Sequence, residues 1–156
     1  MIIGKTTGGK IHVTSGSSLT ISPHPAFACN QAWRYIEECK VHAAQEILLE
    51  ALEADTTYYR TYLYLGIASM IENAYPEAVK QVQKALTYAP HDTTERRVVL
   101  LMTGLAHKGA GKKKEAFRFF NDAMNLDPEY GLAKRARAEI DQQISIQLGK
   151  AKIVVP

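Results

Sequence analysis

The chain has 156 residues, of which 46% are hydrophobic and 22% charged, ordinary values that exclude wholesale disorder and leave room for one folded unit rather than two. Its net charge of +3 is uneven: residues 1–90 carry seven basic and eight acidic side chains, residues 91–156 twelve and eight. That basic bias falls short of a nucleic-acid domain's excess.

No apolar run approaches the ~20 residues that cross a bilayer, and no basic segment followed by an apolar core opens the chain. The expected compartment is the cytosol. Cys29 and Cys39 have neither the density of a disulfide framework nor CxxC spacing, so both are read as reduced packing residues.

Residues 1–23 are rich in Gly, Ser and Thr. Within them Ile11 and Val13 can face Leu19 and Ile21 across a Ser-Gly-Ser turn, which predicts either a β-hairpin or a flexible tail. From Pro25 the period becomes helical. The pattern predicts helices over about 26–38, 41–54 and 58–72, and a fourth starting at Pro76. The next starts after Asp92, with Glu95 three residues on as a capping-box partner, and ends at Gly109-Ala110-Gly111. Another spans about 112–126. A last helix, capped by Asp127 with Pro128 at its first position, runs to about Leu148 with a stripe at Ala133, Ala136, Ile140, Ile144 and Leu148. Residues 150–156 read as a frayed tail.

One periodicity runs through these helices. Ala44 and Ala51 recur as Ala78 and Ala85 after 34 residues, then as Ala116 and Ala123 after 38. Such a period marks helical hairpins that bury their apolar faces only by stacking on neighbours. The middle unit carries Tyr62, Leu65, Gly66, Ala78, Val82, Ala85 and Pro90, with Ser69 in place of an aromatic. The third carries Leu100, Gly104, Ala116, Phe120, Ala123 and Pro128, with Thr103 and His107 as departures. The first keeps Tyr35, Ala44, Leu48 and Ala51, with Ala32 for the glycine and Thr56 for the proline.

These residues resemble the tetratricopeptide-repeat family over about 25–128. The resemblance implies an all-α, right-handed superhelix of three repeats, at about 25–57, 58–91 and 97–128. A capping helix at 129–149 closes it, preceded by the N-terminal segment 1–23 and followed by the tail. The four extra residues before the third repeat read as a lengthened helix, or as a basic spur at Arg96 and Arg97.

In that architecture the first helix of each repeat lines the concave face. Projection places Cys29, Trp33 and Ile36 there from the first repeat. From the second come Arg60, Leu63, Tyr64, Ile67, Met70 and Ile71, and from the third Val98, Leu101, Met102 and Leu105. Asn30, Glu37 and Lys108 lie beside this mostly apolar stripe. Exposed in water, it would equal or exceed the largest apolar patch usual on a monomer, so the expected guest is a protein or peptide with an apolar or amphipathic segment. The chain's own hairpin folded back over the groove is a second possible occupant, and the alternative function is self-assembly, two copies pairing groove to groove or edge to edge through the hairpins.

The family's known clamp for chaperone C-terminal carboxylates uses Lys, Asn and Arg. Here the corresponding positions hold Asn30, Tyr64, Val98 and Met102, and only the asparagine matches. The apolar groove is more similar to that of small bacterial secretion chaperones of this repeat type, although the N-terminal segment has no counterpart there.

No reaction centre is expected. The five histidines (His12, His24, His42, His91, His107) lack metal-ligand spacing and read as surface or helix-end residues. Gly8-Gly9-Lys10 lacks the pattern of a phosphate loop. Neither metal nor cofactor is predicted, and the chain reads as no enzyme. The lysines around Lys112–Lys114, with Lys108, Arg118, Lys134, Arg135 and Arg137, read as a solvated face, or as a contact for an acidic protein ahead of RNA.

Overall fold

Three antiparallel helix pairs and a seventh helix follow one another in the computed structural model, which describes residues 10–13, 19–22, 24–91 and 93–153. The helices are α1 (Pro25–Glu37), α2 (Val41–Ala54), α3 (Tyr59–Ile71), α4 (Tyr75–Tyr88), α5 (Thr94–Gly109), α6 (Lys113–Leu126) and α7 (Gly131–Ile153). They form the superhelix of three hairpin repeats closed by a capping helix. Ahead of them, β1 (Lys10–Val13) and β2 (Leu19–Ser22) pair antiparallel, with Ile11 opposite Ile21 and Val13 opposite Leu19. The residues joining the strands lie outside the described set. Among the described residues no helix is long and apolar enough to cross a membrane.

Small residues set the spacing within each pair. A Cβ on Gly66 would lie 2.6 Å from Val82 Cγ1, and one on Gly104 would enter the ring of Phe120. Ala78, Ala85, Ala116 and Ala123 are wholly buried with them. Phe120, Ala133, Ala136 and Ile140 share one core cluster, which seals α7 onto the third repeat.

Each turn inside a repeat ends its first helix with a residue at positive φ: Cys39 at 60°, Asn73 at 59° and Gly111 at 79°. The next N–H reaches back five residues in every case, Lys40 to Tyr35, Ala74 to Ser69 and Lys112 to His107, each at 2.8 Å. This is the Schellman ending, which satisfies orphan helix carbonyls. Cys39 is therefore an exposed turn residue, not the packing residue expected of it.

The extra residues before the third repeat lengthen its first helix: α5 has 16 residues where α1 and α3 have 13. Its cap is Thr93, whose hydroxyl accepts from the Arg96 N–H at 3.3 Å, one residue later than the Asp92 reading. Arg96 and Arg97 form no spur. Arg96 donates to the carbonyls of Leu86 and Ala89 at 3.3 and 3.2 Å, closing the end of α4. Arg97 pairs with Asp127 and lies 4.7 Å over the Tyr130 ring.

Two further expectations are corrected. Asp127 Oδ1 accepts from the Glu129 N–H at 3.0 Å, a side-chain turn that holds Pro128 outside the helix. So α7 starts at Gly131 and continues through Gly149 to Ile153. His107 is only 3% exposed, with its Nδ1 2.8 Å from the Thr103 carbonyl and its ring 4.9 Å from that of Phe119. It fills the aromatic position of the repeat from inside.

Candidate functional site

The first helices α1, α3 and α5 stand side by side on the concave wall, so equivalent positions fall into rows. One row reads Asn30, Tyr64, Met102 and the next Trp33, Ile67, with Arg60 and Val98 one turn earlier. Between them lies a cavity of about 680 Å³, lined also by Arg34, Glu37, Tyr59, Leu63 and Glu95. Its volume falls in the range of ordinary ligand clefts.

The apolar part centres on Trp33 and Tyr64, whose rings are 5.7 Å apart at 43°. Trp33 is 40% exposed, and its indole N–H donates to Glu37 Oε1 at 2.7 Å. That bond fixes the ring and occupies the nearest carboxylate. Desolvation raises the Tyr64 phenol above its ordinary range, as it does Tyr58, so both stay neutral donors at physiological pH. Arg60 donates its Nε to Tyr59 Oη at 3.1 Å. That bond is the main cause raising its pKa further, so it is a fixed cation at the groove's upper end.

Of the thirteen residues projected onto this face, Trp33, Arg60, Leu63, Tyr64, Ile67, Val98 and Met102 line the cavity. The others do not. Cys29 is 1% exposed and packs against Thr61, with 3.8 Å between Sγ and Oγ1. Its thiol is pushed up to about 11, chiefly by burial. Leu101 is buried on the α6–α7 side, and Ile36 packs against the first repeat's core. Ile71 is half exposed but outside the cavity. Met70 and Leu105 border a separate hollow of about 400 Å³ with Tyr75, Lys108, Gly109 and Gln143. There Lys108 pairs with Glu139 at 2.5 Å, and its hydrogen bond holds the Glu139 carboxyl below its usual range.

Arg34, Tyr59 and Glu95 were not singled out by the projection. Arg34 and Tyr59 sit beside Trp33 and Arg60 in sequence, at the margin of a stripe drawn too narrow. Glu95 belongs to the lengthened start of α5, and the 38-residue interval was the signal for it. With Asn30 and Glu37 they make the wall mixed, an apolar floor with polar margins.

No family model and no curated protein matches the chain. Solved structures do match in shape. The first tetratricopeptide-repeat domain of human RPAP3 superposes with a TM-score of 0.72 at 15% identity, over 80% of this chain and 95% of that one. The second such domain of human RPAP3, solved in complex with an HSP70 peptide, gives 0.66 at 20%, over 75% and 98%. YrrB, described as a repeat protein with an unusual peptide-binding site, gives 0.64 at 19%, over 72% and 56%. At these identities the likeness is one of fold, and the fold of this chain is that of the tetratricopeptide-repeat domains.

Proposed function

We propose that the chain is a non-catalytic protein-interaction module that holds an apolar or amphipathic peptide segment in the groove between α1, α3 and α5. The observation carrying this reading is the wall itself, where Trp33, Leu63, Tyr64, Ile67, Val98 and Met102 converge on one cavity of about 680 Å³. Trp33 remains 40% exposed there. The second RPAP3 domain was solved in complex with an HSP70 peptide, which supports the same mode for this face. The guest differs in chemistry, because Tyr64, Val98 and Met102 stand where a carboxylate clamp needs cations and amides. Its apolar side chains would fill the floor, and its polar groups would meet Asn30, Arg34, Arg60 and Glu95 at the margins.

Trp33 is the only tryptophan, so its emission reports directly on the site. Peptides selected on the full chain should shift that emission to the blue. Met102→Glu should weaken capture by about 2 kcal/mol or more, as expected for a central anchor, while helical circular dichroism stays unchanged. Selected peptides that bind without moving the Trp33 emission would place the site elsewhere.

A second reading is self-assembly through the N-terminal strands. It is favoured by a two-stranded sheet with no third strand among the described residues, since a lone hairpin is marginal in water. Sedimentation over a concentration series, with and without residues 1–22, separates the two readings.

A further inference from the structure

The antiparallel packing of α6 and α7 brings the distal half of α7 beside a basic segment. The Arg137 guanidinium lies 5.3 Å from the Phe117 ring and 4.0 Å from Met124 Sδ. Ile140 and Ile144 pack with Ala116 and Phe120. The start of α6 is thus level with the distal half of α7. Helix α7 has 23 residues and α6 has 14, so at ~1.5 Å per residue α7 overhangs its partner.

The start of α6 carries Lys112, Lys113 and Lys114, at its N-cap and first two helical positions. Cations there oppose the dipole of α6, although Lys112 also follows the C-terminal end of α5, which favours them. Lys108, Lys134 and Arg137 are paired with Glu139, Glu129 and Asp141. By contrast, Lys112, Lys113, Lys114 and Arg118 have no ion-pair partner among the described residues. Beside them Ile146 is 50% and Leu148 60% exposed. Two residues apart on a helix, they point to nearly opposite sides. A protein groove would cover one stripe, whereas a lipid interface surrounds an inserted helix end.

We infer that the end of the molecule built from the start of α6 and the distal half of α7 docks on an anionic lipid bilayer. The lysines meet headgroups, and Ile146 and Leu148 enter the acyl boundary. Lysines near such a surface act additively, and aliphatic insertion adds to them. This surface is separate from the concave groove and does not depend on its occupant.

The test is flotation of the full chain with vesicles of phosphatidylcholine alone, or with about 30% phosphatidylserine, a stand-in for an anionic leaflet. Retention on the anionic vesicles should exceed that on neutral ones at least tenfold and fall away at about 0.5 M salt. Lys112→Glu with Lys114→Glu should abolish it, and Ile146→Ser with Leu148→Ser should cut it severalfold. All four residues are exposed, so circular dichroism should be unchanged. Absence of retention, or equal retention on neutral vesicles, overturns the inference. So does retention indifferent to the Ile146 and Leu148 changes and competed away by polyglutamate, which would make the surface a site for an acidic protein.

Discussion

The two ends of the superhelix treat the same position in opposite ways. Thr61 in α3, Val99 in α5 and Ala133 in α7 are equivalent, and each is fully buried against the preceding repeat. The corresponding residue of α1 is Phe27, larger and more apolar than any of them, yet 62% exposed. Its neighbours along that face, Gln31 and Arg34, are polar and exposed. At the other end α7 lays Ala133, Ala136 and Ile140 on Ala116, Phe120 and Ala123. Burial in a stacked array is thus conferred by the neighbouring unit rather than by the residue.

The sharpest test of that difference substitutes one residue at each end. Ile140→Ala removes a side chain with no exposed surface and should cost about 2–5 kcal/mol of stability, because the cavity cannot fully collapse. Phe27→Ala removes a larger group but should change stability by about 0.5 kcal/mol or less. Denaturant melts of both variants check the pair. Comparable losses would mean that something covers Phe27 in solution.

Alkaline pH probes the seam between the first two repeats. Cys29, packed on Thr61 there, titrates at about 11, against 9.0 for an unperturbed thiol. A group whose folded pKa is raised stabilises fully below its unfolded pKa and loses that contribution as pH rises through the folded one. Stability should therefore decline from about pH 9 to pH 11, by roughly 1–2 kcal/mol on this account. The buried Tyr62 and the half-buried Tyr58, Tyr64 and Tyr130, also raised, act in the same direction. Cys29→Ala should flatten the limb between those pH values, measured as denaturant midpoints. A limb unchanged in Cys29→Ala would assign it to the tyrosines alone.

Within the sealed half, Gly104 on α5 faces the Phe120 ring of α6 with no room for a Cβ. Gly104→Ala gains helix propensity but forces that ring aside, and overpacking should dominate by about 1–3 kcal/mol. Combining it with Phe120→Leu should recover part of the loss, which a thermal melt would show. No recovery would mean that the clash falls on backbone instead.

Most of the helices were legible because their causes are local or periodic. The alanine interval, Gly66 and Gly104, and Pro76 at the first turn of α4 each act within one hairpin or its repeat. What escaped depended on contacts between repeats or on side-chain hydrogen bonds. Asp127 looked like a helix cap, but its carboxylate closes a turn first and delays α7 to Gly131. Arg97 looked like a rim cation until the turn before α7 brought Tyr130 beneath it. His107 was misjudged as superficial although the repeat register already put it at the aromatic position. For the groove, projection found the floor but missed Arg34, Tyr59 and Glu95. A projection marks the centre of a face, while long polar side chains reach in from its edges.

Cys39 carries a small expected effect and the clearest internal control. Three turns of one geometry hold three different residues at positive φ: Cys39, Asn73 and Gly111. A side chain there brings Cβ against its own backbone, a strain of about 1–2 kcal/mol that glycine avoids and asparagine partly relieves. Glycine also raises the entropy of the unfolded chain, which offsets about 0.5–1 kcal/mol of the gain. Cys39→Gly should therefore stabilise by somewhat under about 1 kcal/mol, and Gly111→Ala should destabilise by about as much or more, since alanine brings the strain with none of asparagine's relief. Because all three turns share the same backward hydrogen bond, a melt in which both variants shift the same way would show that Cys39 is held by something beyond this turn.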